Sequence, residues 1–567
     1  LLPWTVRGPD NDNKFKLINQ KPEKYSQRYR IRDNNGNRDL GDIVNSPIVA
    51  VGGYLATAAN DGMVHIFKKN GGSDERSYNL KLSYIPGTMP RKDIESNDST
   101  LAKELRAFAE KGYVGDRYGV DGGFVLRRIT DDQDRQKHFF MFGAMGLGGR
   151  GAYALDLSKI DGNYPAAAPL FDVKNGDNNG KNRVKVELGY TVGTPQIGKT
   201  QNGKYSAFLA SGYAAKQIDD PTNKTALYVY DLENTSGSLI KKIEAPGGKG
   251  GLSSPTLVDK DLDGTIDIAY AGDRGGKMYR FDLSNSDPSK WSVSTIFEGA
   301  KPITSAPAVS RLADKRVVIF GTGSDLTEDD VLDTKEQYIY GIFDDDKGTG
   351  TVKVTVQNGT AGGLLEQNLM QENKTLFLNK RSDGSGSKGW AVKLTGGQRV
   401  TVKPTVVLRT AFVTIRKYND GGCGAETAIL GINTADGGAL TPRSARPIVP
   451  GDQVAQYSGH LKTAGGKSVP IGCMWKNGKT VCPNGYVYDK PVNVRYLDEK
   501  KTDDFPVTAD GDAGGSGTFK EGKKPARNNR CFSGKGVRTL LMNDLDSLDI
   551  TGPMCGIKRL SWREVFF

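Results

Sequence analysis

Asp259, Asp261, Asp263 and Asp267 fall within nine residues, in the stretch DKDLDGTID, with Gly264 among them. Four carboxylates on so short a loop repel one another by roughly 1 kcal/mol or more per pair even when partly solvated, and a cation among them removes that cost. The pattern D-x-D-x-D-G-x-x-D offers oxygens at positions one, three, five and nine. The Thr265 carbonyl is available at position seven, and Gly264 permits a sharp turn. The cation expected at Asp259, Asp261, Asp263, Thr265 and Asp267 is Ca²⁺, because Mg²⁺ demands near-ideal octahedral geometry and keeps its waters. Position twelve is Tyr270 rather than the bidentate Glu of an EF-hand. The flanks PTLV and IDIAYAG read as strands, so the loop is expected to join two strands of a sheet. The alternative is an acidic turn that holds no metal.

Other candidate motifs lack parts that their chemistry requires. Asn175, Asp177 and Asn179 echo the acidic spacing weakly, but Lys181 follows, which favours a plain turn. Asp344, Asp345 and Asp346 read as a solvated strand tip. Gly146 to Gly151 satisfies G-x-G-x-x-G, yet AYALDL follows where a dinucleotide site needs a helix, so a hairpin turn is expected. Gly466-Lys467-Ser468 is only the tail of a P-loop, with Leu461 where its first glycine belongs. The three histidines are His65, His138 and His460. With neither G-x-S-x-G nor H-E-x-x-H present, no catalytic set emerges.

The elements that would carry the loop form a repeat. A small residue or Lys, then Pro, then alternating apolar residues open each unit, at Ser46-Pro47, Thr194-Pro195, Ser254-Pro255, Ala306-Pro307 and Lys403-Pro404. Aromatic strands close it, at Val64–Phe67, Tyr153–Leu157, Tyr228–Leu232, Tyr279–Leu283 and Tyr338–Tyr340. A Gly-centred strand lies between, as in Tyr54–Ala58, Ala207–Gly212 and Val317–Gly323. Short strands in units of about 50 to 75 residues predict an all-β chain, a β-propeller, over residues 41–567. Residues 1–40 are expected to be an extended lead-in. The spacing of Leu101, Leu105 and Phe108 predicts one inserted helix ending at Gly112. Residues 441–554 depart from the repeat, contain the stretch Thr508–Lys524, which is expected to be flexible, and are expected to be an irregular partner-binding insertion.

The totals set bounds. The 72 glycines among 567 residues fit many tight turns. A net charge of +12 suits anionic partners, but the 78 Lys and Arg are scattered and no basic-aromatic patch marks a nucleic-acid site. No run of about 18 apolar residues exists to span a membrane as a helix. The chain begins at Leu1 rather than Met, and is expected to be the later part of a longer protein whose N-terminal domain is missing. Five cysteines, Cys423, Cys473, Cys482, Cys531 and Cys555, favour an exported setting. A Cys473–Cys482 bridge is plausible around the Asn477-Gly478 turn, a Cys531–Cys555 pair is possible, and Cys423 is left unassigned.

Long words in order, GDIVNSPIVAVGGYLATAANDGMVHIF, LAKELRAFAEKGYVGDRYGVDGGFVLR, MFGAMGLGGRGAYALDL, DKDLDGTIDIAYAGDRGGKMYRFDL and the closing RLSWRE, resemble the C-terminal half of the neisserial-type PilC/PilY family of type IV pilus tip-associated proteins. The resemblance covers most of residues 40–440 and the extreme C-terminus. It implies a modified, quinoprotein-like propeller of about seven blades with loop and one-helix insertions, and a calcium site at Asp259, Asp261, Asp263 and Asp267. It further implies a non-enzymatic role in pilus biogenesis, opposing retraction, and in host-cell adhesion. The partners implied are pilin and minor pilins, a host-cell receptor and the protein's own N-terminal domain, at the outer-membrane surface and pilus tip. The competing reading is a quinone-dependent dehydrogenase, since such propellers also use Ca²⁺. Against it, no two cysteines are adjacent, and Trp291, Trp390 and Trp475 share no blade position.

Overall fold

A strand's first residue can forgo its ladder N–H, which makes proline a natural start. In the computed structural model the strands Val49–Val51, Gln196–Lys199, Thr256–Val258, Ala308–Arg311 and Thr405–Val407 each begin one or two residues after a proline. The structure describes residues 40–440 apart from 90–117 and several shorter breaks, together with Val6–Arg7 and, beyond 440, parts of 444–553 that include 510–522. The expected helix ending at Gly112, nearly all of the lead-in, all five cysteines and the closing RLSWRE lie outside the described residues.

The chain divides into two units, Leu1–Ala306 with Asp503–Pro525, and Pro307–Thr502 with Ala526–Phe567. Besides the hairpin Asn178–Asn179/Val184–Lys185, the first holds four sheets, each built on four antiparallel strands in chain order. Sheet I is Val49–Val51, Tyr54–Ala58, Val64–Lys69 and Tyr78–Tyr84. Sheet II is Phe124–Thr130, Gln136–Ala144, Gly151–Asp156 and Pro169–Lys174. Sheet III is Gln196–Lys199, Tyr205–Ala210, Ala226–Asp231 and Leu239–Glu244. Sheet IV contains Thr256–Val258, Ile268–Gly272, Lys277–Asp282 and Ser292–Glu298. The first strands of consecutive sheets lie against one another, I to II, II to III and III to IV. That is the relation of blades around a propeller axis.

Burial on both faces explains the near-continuous apolar run HFFMFGA in sheet II. Successive side chains point to opposite faces, so Phe139 and Met141 join the core shared with sheet I while Phe140 and Phe142 join the core shared with sheet III. Each of sheets I–IV carries a register shift between its third and fourth strands, as at Ile66/Phe67 and Met278/Tyr279. Such bulges increase local twist.

The second unit holds a sheet led by Ala308–Arg311, Arg316–Gly321 and Tyr338–Asp344, a sheet built on Thr410–Asn419 and Gly424–Asn433, and a sheet of Arg446–Pro447, Ser547–Thr551, Val537–Leu541 and Asn493–Tyr496. Among the described residues the two units thus contain seven sheets of four or more strands. The sole α-helix among those residues is Glu328–Leu332, and none of their helices is long and apolar enough to cross a membrane.

Two local expectations need correction. Asp344 is buried and so is not part of a solvated tip, while Asp346 is exposed as expected and contacts the Arg316 guanidinium on the second strand of the sheet. Thr508–Lys524 is not a free stretch either, since Gly517–Lys520 pairs in parallel with Arg127–Thr130 of sheet II. The G-x-G-x-x-G motif is a hairpin turn as expected, joining Gln136–Ala144 to Gly151–Asp156. Met474–Lys476 and Lys479–Val481 pair antiparallel across the two residues Asn477-Gly478.

Candidate metal centre

The acidic loop connects the first two strands of sheet IV. Its base is closed by the pairing of Val258 with Ile268 and by the Asp267 N–H donating to the Val258 carbonyl at 2.9 Å. Between them the chain reverses through Leu262 at φ 59° and Gly264 at φ 96°. The left-handed region suits Gly264, which has no Cβ to clash, and is uncommon for a branched residue such as Leu262.

Three of the predicted ligands are brought together. Carboxylate oxygens of Asp259, Asp261 and Asp267 lie within 4.8 Å of one another. Asp259 and Asp267 are 1% and 5% exposed, whereas Asp261 faces solvent. Asp263 stands in a local turn, where one of its oxygens accepts from the Thr265 N–H at 2.8 Å and the Thr265 hydroxyl at 2.6 Å. The two oxygens of Asp259 accept from the N–H groups of Asp263, at 3.2 Å, and Gly264, at 2.8 Å. The Asp267 carboxylate accepts from Lys260 N–H at 2.8 Å and from the Gln201 amide at 3.0 Å.

Burial pushes the Asp259 carboxyl up to about 7, aided by the charge of Asp263 and a hydrogen bond with Asp261 and opposed by the Gly264 N–H. Burial likewise lifts Asp267 to about 6, aided by the charges of Asp261 and Asp263 and opposed by the Lys260 N–H. Carboxyls held this far above their usual range mark a place where negative charge is crowded and a cation would relieve it. The donor set is all oxygen with an exposed member, which fits a hard cation that tolerates irregular coordination and bound water. Asp259, Asp261 and Asp267 would hold such an ion directly, with Asp263 and Thr265 on the loop's outer turn.

The weaker echo behaves as a turn, since Asn175 accepts from Leu188 N–H at 2.9 Å and Asp177 from Lys174 N–H at 3.2 Å. Among the other singled-out residues, His65 has a serine and an aspartate as neighbours. Its Nδ1 lies 2.8 Å from Ser83 Oγ and its Nε2 2.8 Å from Asp61 Oδ2. These are the residue types of a hydrolytic triad, but His65 is 1% and Ser83 0% exposed. No substrate reaches them, and the group ties together the strands of sheet I.

A family model described as the PilY1 beta-propeller domain matches residues 40–381. The chain belongs to the PilY1 β-propeller family. Among PilY1 relatives, the type IV pilus biogenesis factor PilY1 of Pseudomonas aeruginosa strain UCBPP-PA14 is 29% identical over 477 residues, which cover 70% of this chain and 39% of the relative. A PilY1 homolog of Xylella fastidiosa is 27% identical over 252 residues, 42% of this chain and 15% of the relative. This chain therefore spans well under half the length of these relatives. A crystal structure of the Pseudomonas aeruginosa PilY1 C-terminal domain shares 24% identity at a TM-score of 0.49, covering 68% of this chain and 80% of that one.

Sheets I–IV and the acidic loop all fall inside the PilY1 match, whereas residues 508–522 lie beyond it. Sequence reasoning missed that this later segment touches the loop. The Asp259 N–H donates to the Gly511 carbonyl at 2.9 Å, and Phe519 shares a core with Leu262 and Ile266. Its partners lie hundreds of residues away in the chain, so no local pattern announces them. The one available signal was Phe519 itself, an aromatic in an otherwise polar, Gly-rich stretch.

Proposed function

We propose that this chain is the Ca²⁺-binding propeller of a type IV pilus biogenesis factor, exposed at the outer surface and pilus tip, where it opposes pilus retraction and supports adhesion to host cells. The observation that carries the metal part is the convergence of Asp259, Asp261 and Asp267 within 4.8 Å, two of them buried, on a loop between blade strands. Membership of the PilY1 propeller family supports the pilus part. Pilin, minor pilins and a host-cell receptor are the partners this reading requires, and the Ca²⁺ would neutralise the loop and fix the connection between the first two strands of sheet IV.

The test is the number of surface pili and of adherent bacteria in cells whose full-length protein carries Asp261→Ala. Fewer pili and weaker adherence are expected, with piliation recovering where retraction is disabled. Wild-type piliation and adherence, in cells whose variant has lost Ca²⁺ binding, would contradict the proposal.

The dehydrogenase reading gains nothing from the tryptophans. Trp291 Nε1 donates to the Asn285 carbonyl beside sheet IV, and Trp390 Nε1 donates to the Thr434 carbonyl in the second unit. Each serves the packing of its own surroundings.

A further inference from the structure

Residues 510–522 lie along the first strands of three consecutive blades. On sheet II, Gly517–Lys520 pairs with Arg127–Thr130, Leu126 N–H donates to Ser516 Oγ at 3.0 Å, and the buried Arg127 guanidinium donates to the Ala513 carbonyl at 2.8 Å. On sheet III, Gly515 N–H donates to Gln196 Oε1 at 3.0 Å and the Tyr205 hydroxyl to Glu521 at 2.6 Å. On sheet IV, Asp512 bridges Val258 and Ala513 N–H donates to the Leu257 carbonyl at 2.9 Å. The segment is thus a strap across the propeller's axial edge, tied by strand pairing and by a backbone-to-side-chain bond to a strand as many as 390 residues earlier.

Where the strap meets sheet IV it meets the acidic loop. Asp259 contributes its carboxylate to the cluster and its N–H to Gly511. A Cβ on Gly264 would sit 3.1 Å from the Phe519 ring, so ring and loop backbone are in close contact. Phe519 and Ala513 complete the core that holds Leu262 and Ile266, the apolar residues of the loop. Any spreading of the carboxylates moves the groups against which the strap is seated.

We propose that the acidic loop and the strap form a cation-gated latch: a divalent cation drawing Asp259, Asp261 and Asp267 together fixes the seat of Gly511 and Phe519, and loss of the cation loosens the strap from the three blades. This rests on the reading of the loop as a Ca²⁺ site. Because coupling between two sites is reciprocal, a weakened strap must lower cation affinity by the factor through which the cation tightens the strap.

The experiment combines hydrogen exchange of the strap amides with Ca²⁺ calorimetry on the whole 567-residue chain. With Ca²⁺, the amides of residues 511–521 are expected to exchange about tenfold or more slowly than in chelator. Phe519→Ala, which removes no ligand oxygen, is expected to lower Ca²⁺ affinity roughly 5- to 20-fold, within the range of allosteric couplings. Glu521→Gln, at the far end of the strap, serves if Phe519→Ala fails to fold, and is expected to lower affinity by about twofold or more. Ca²⁺ uptake with unchanged strap exchange, or wild-type affinity in a folded Phe519→Ala chain, would overturn the latch while leaving the metal site intact. A wild-type chain that takes up no Ca²⁺ would overturn the metal reading and the latch together.

Discussion

Asp259 does two things at once, presenting a carboxylate to Asp261 and Asp267 and a backbone N–H to Gly511. Its substitution therefore separates metal binding from folding less cleanly than that of the exposed Asp261. Asp261→Ala is expected to abolish measurable Ca²⁺ binding while far-UV circular dichroism stays that of the parent; a fold lost together with binding would contradict a local site. The raised carboxyls also set a pH dependence. Asp259 moves from the ordinary 3.8 to about 7 and Asp267 to about 6 in the folded chain, so between these values the folded state holds protons that the unfolded chain has released. Stability without metal must then fall as pH rises from about 4 to 7. Ca²⁺ binding gains over the same window, because ligand carboxylates must be ionised. The thermal midpoint difference between Ca²⁺ and chelator is expected to widen steadily from pH 5 to 7.5, and a gap independent of pH would contradict the assignment. His65 gives a third expectation at this scale. With its Nδ1 on Ser83 and its Nε2 on Asp61 in a buried site, His65→Ala leaves the buried Asp61 carboxylate to the N–H groups of Gly41 and Met63 and should cost about 1–3 kcal/mol in denaturant unfolding.

The strands were legible because their constraints are local. Proline marks the start, aromatic residues mark the third strand, and Phe139 to Phe142 show by unbroken apolarity that both faces of the blade are covered. The acidic loop was legible for the same reason: nine residues carry its spacing, its turn glycine and its strand flanks. Its inner arrangement was not, since the sequence places Asp263 on the same footing as Asp261, and only the fold turns Asp263 toward Thr265. The strap was misread because five of the thirteen residues 510–522 are glycine. In a free chain those residues mean flexibility, but here they let the backbone approach strands closely, as Gly511 does to Asp259. Gly264 belongs to this scale as well. At φ 96° and against Phe519, Gly264→Ala should cost roughly 1–2 kcal/mol from the left-handed backbone alone and should weaken Ca²⁺ binding with it; an unchanged denaturation midpoint would show that the turn relaxes freely.

Across the chain, the described residues of the two units hold seven sheets of four or more strands, and the family match covers most of the part in which the repeat was readable. The later third was harder to read because its sheets draw strands from far apart, as where Arg446–Pro447 pairs with Ser547–Thr551, and no fixed period survives such interleaving. The net charge of +12 is spread over this architecture and does not by itself select a partner. The proposed function turns on a cation that Asp259, Asp261 and Asp267 would hold in one loop of one blade. Titration of the metal-free chain with Ca²⁺ by calorimetry at pH 7.5, beside Asp261→Ala, tests that claim most directly. Saturable uptake of one Ca²⁺ by the parent chain and none by the variant is expected; no uptake by the parent, or equal uptake by both, would contradict the proposal.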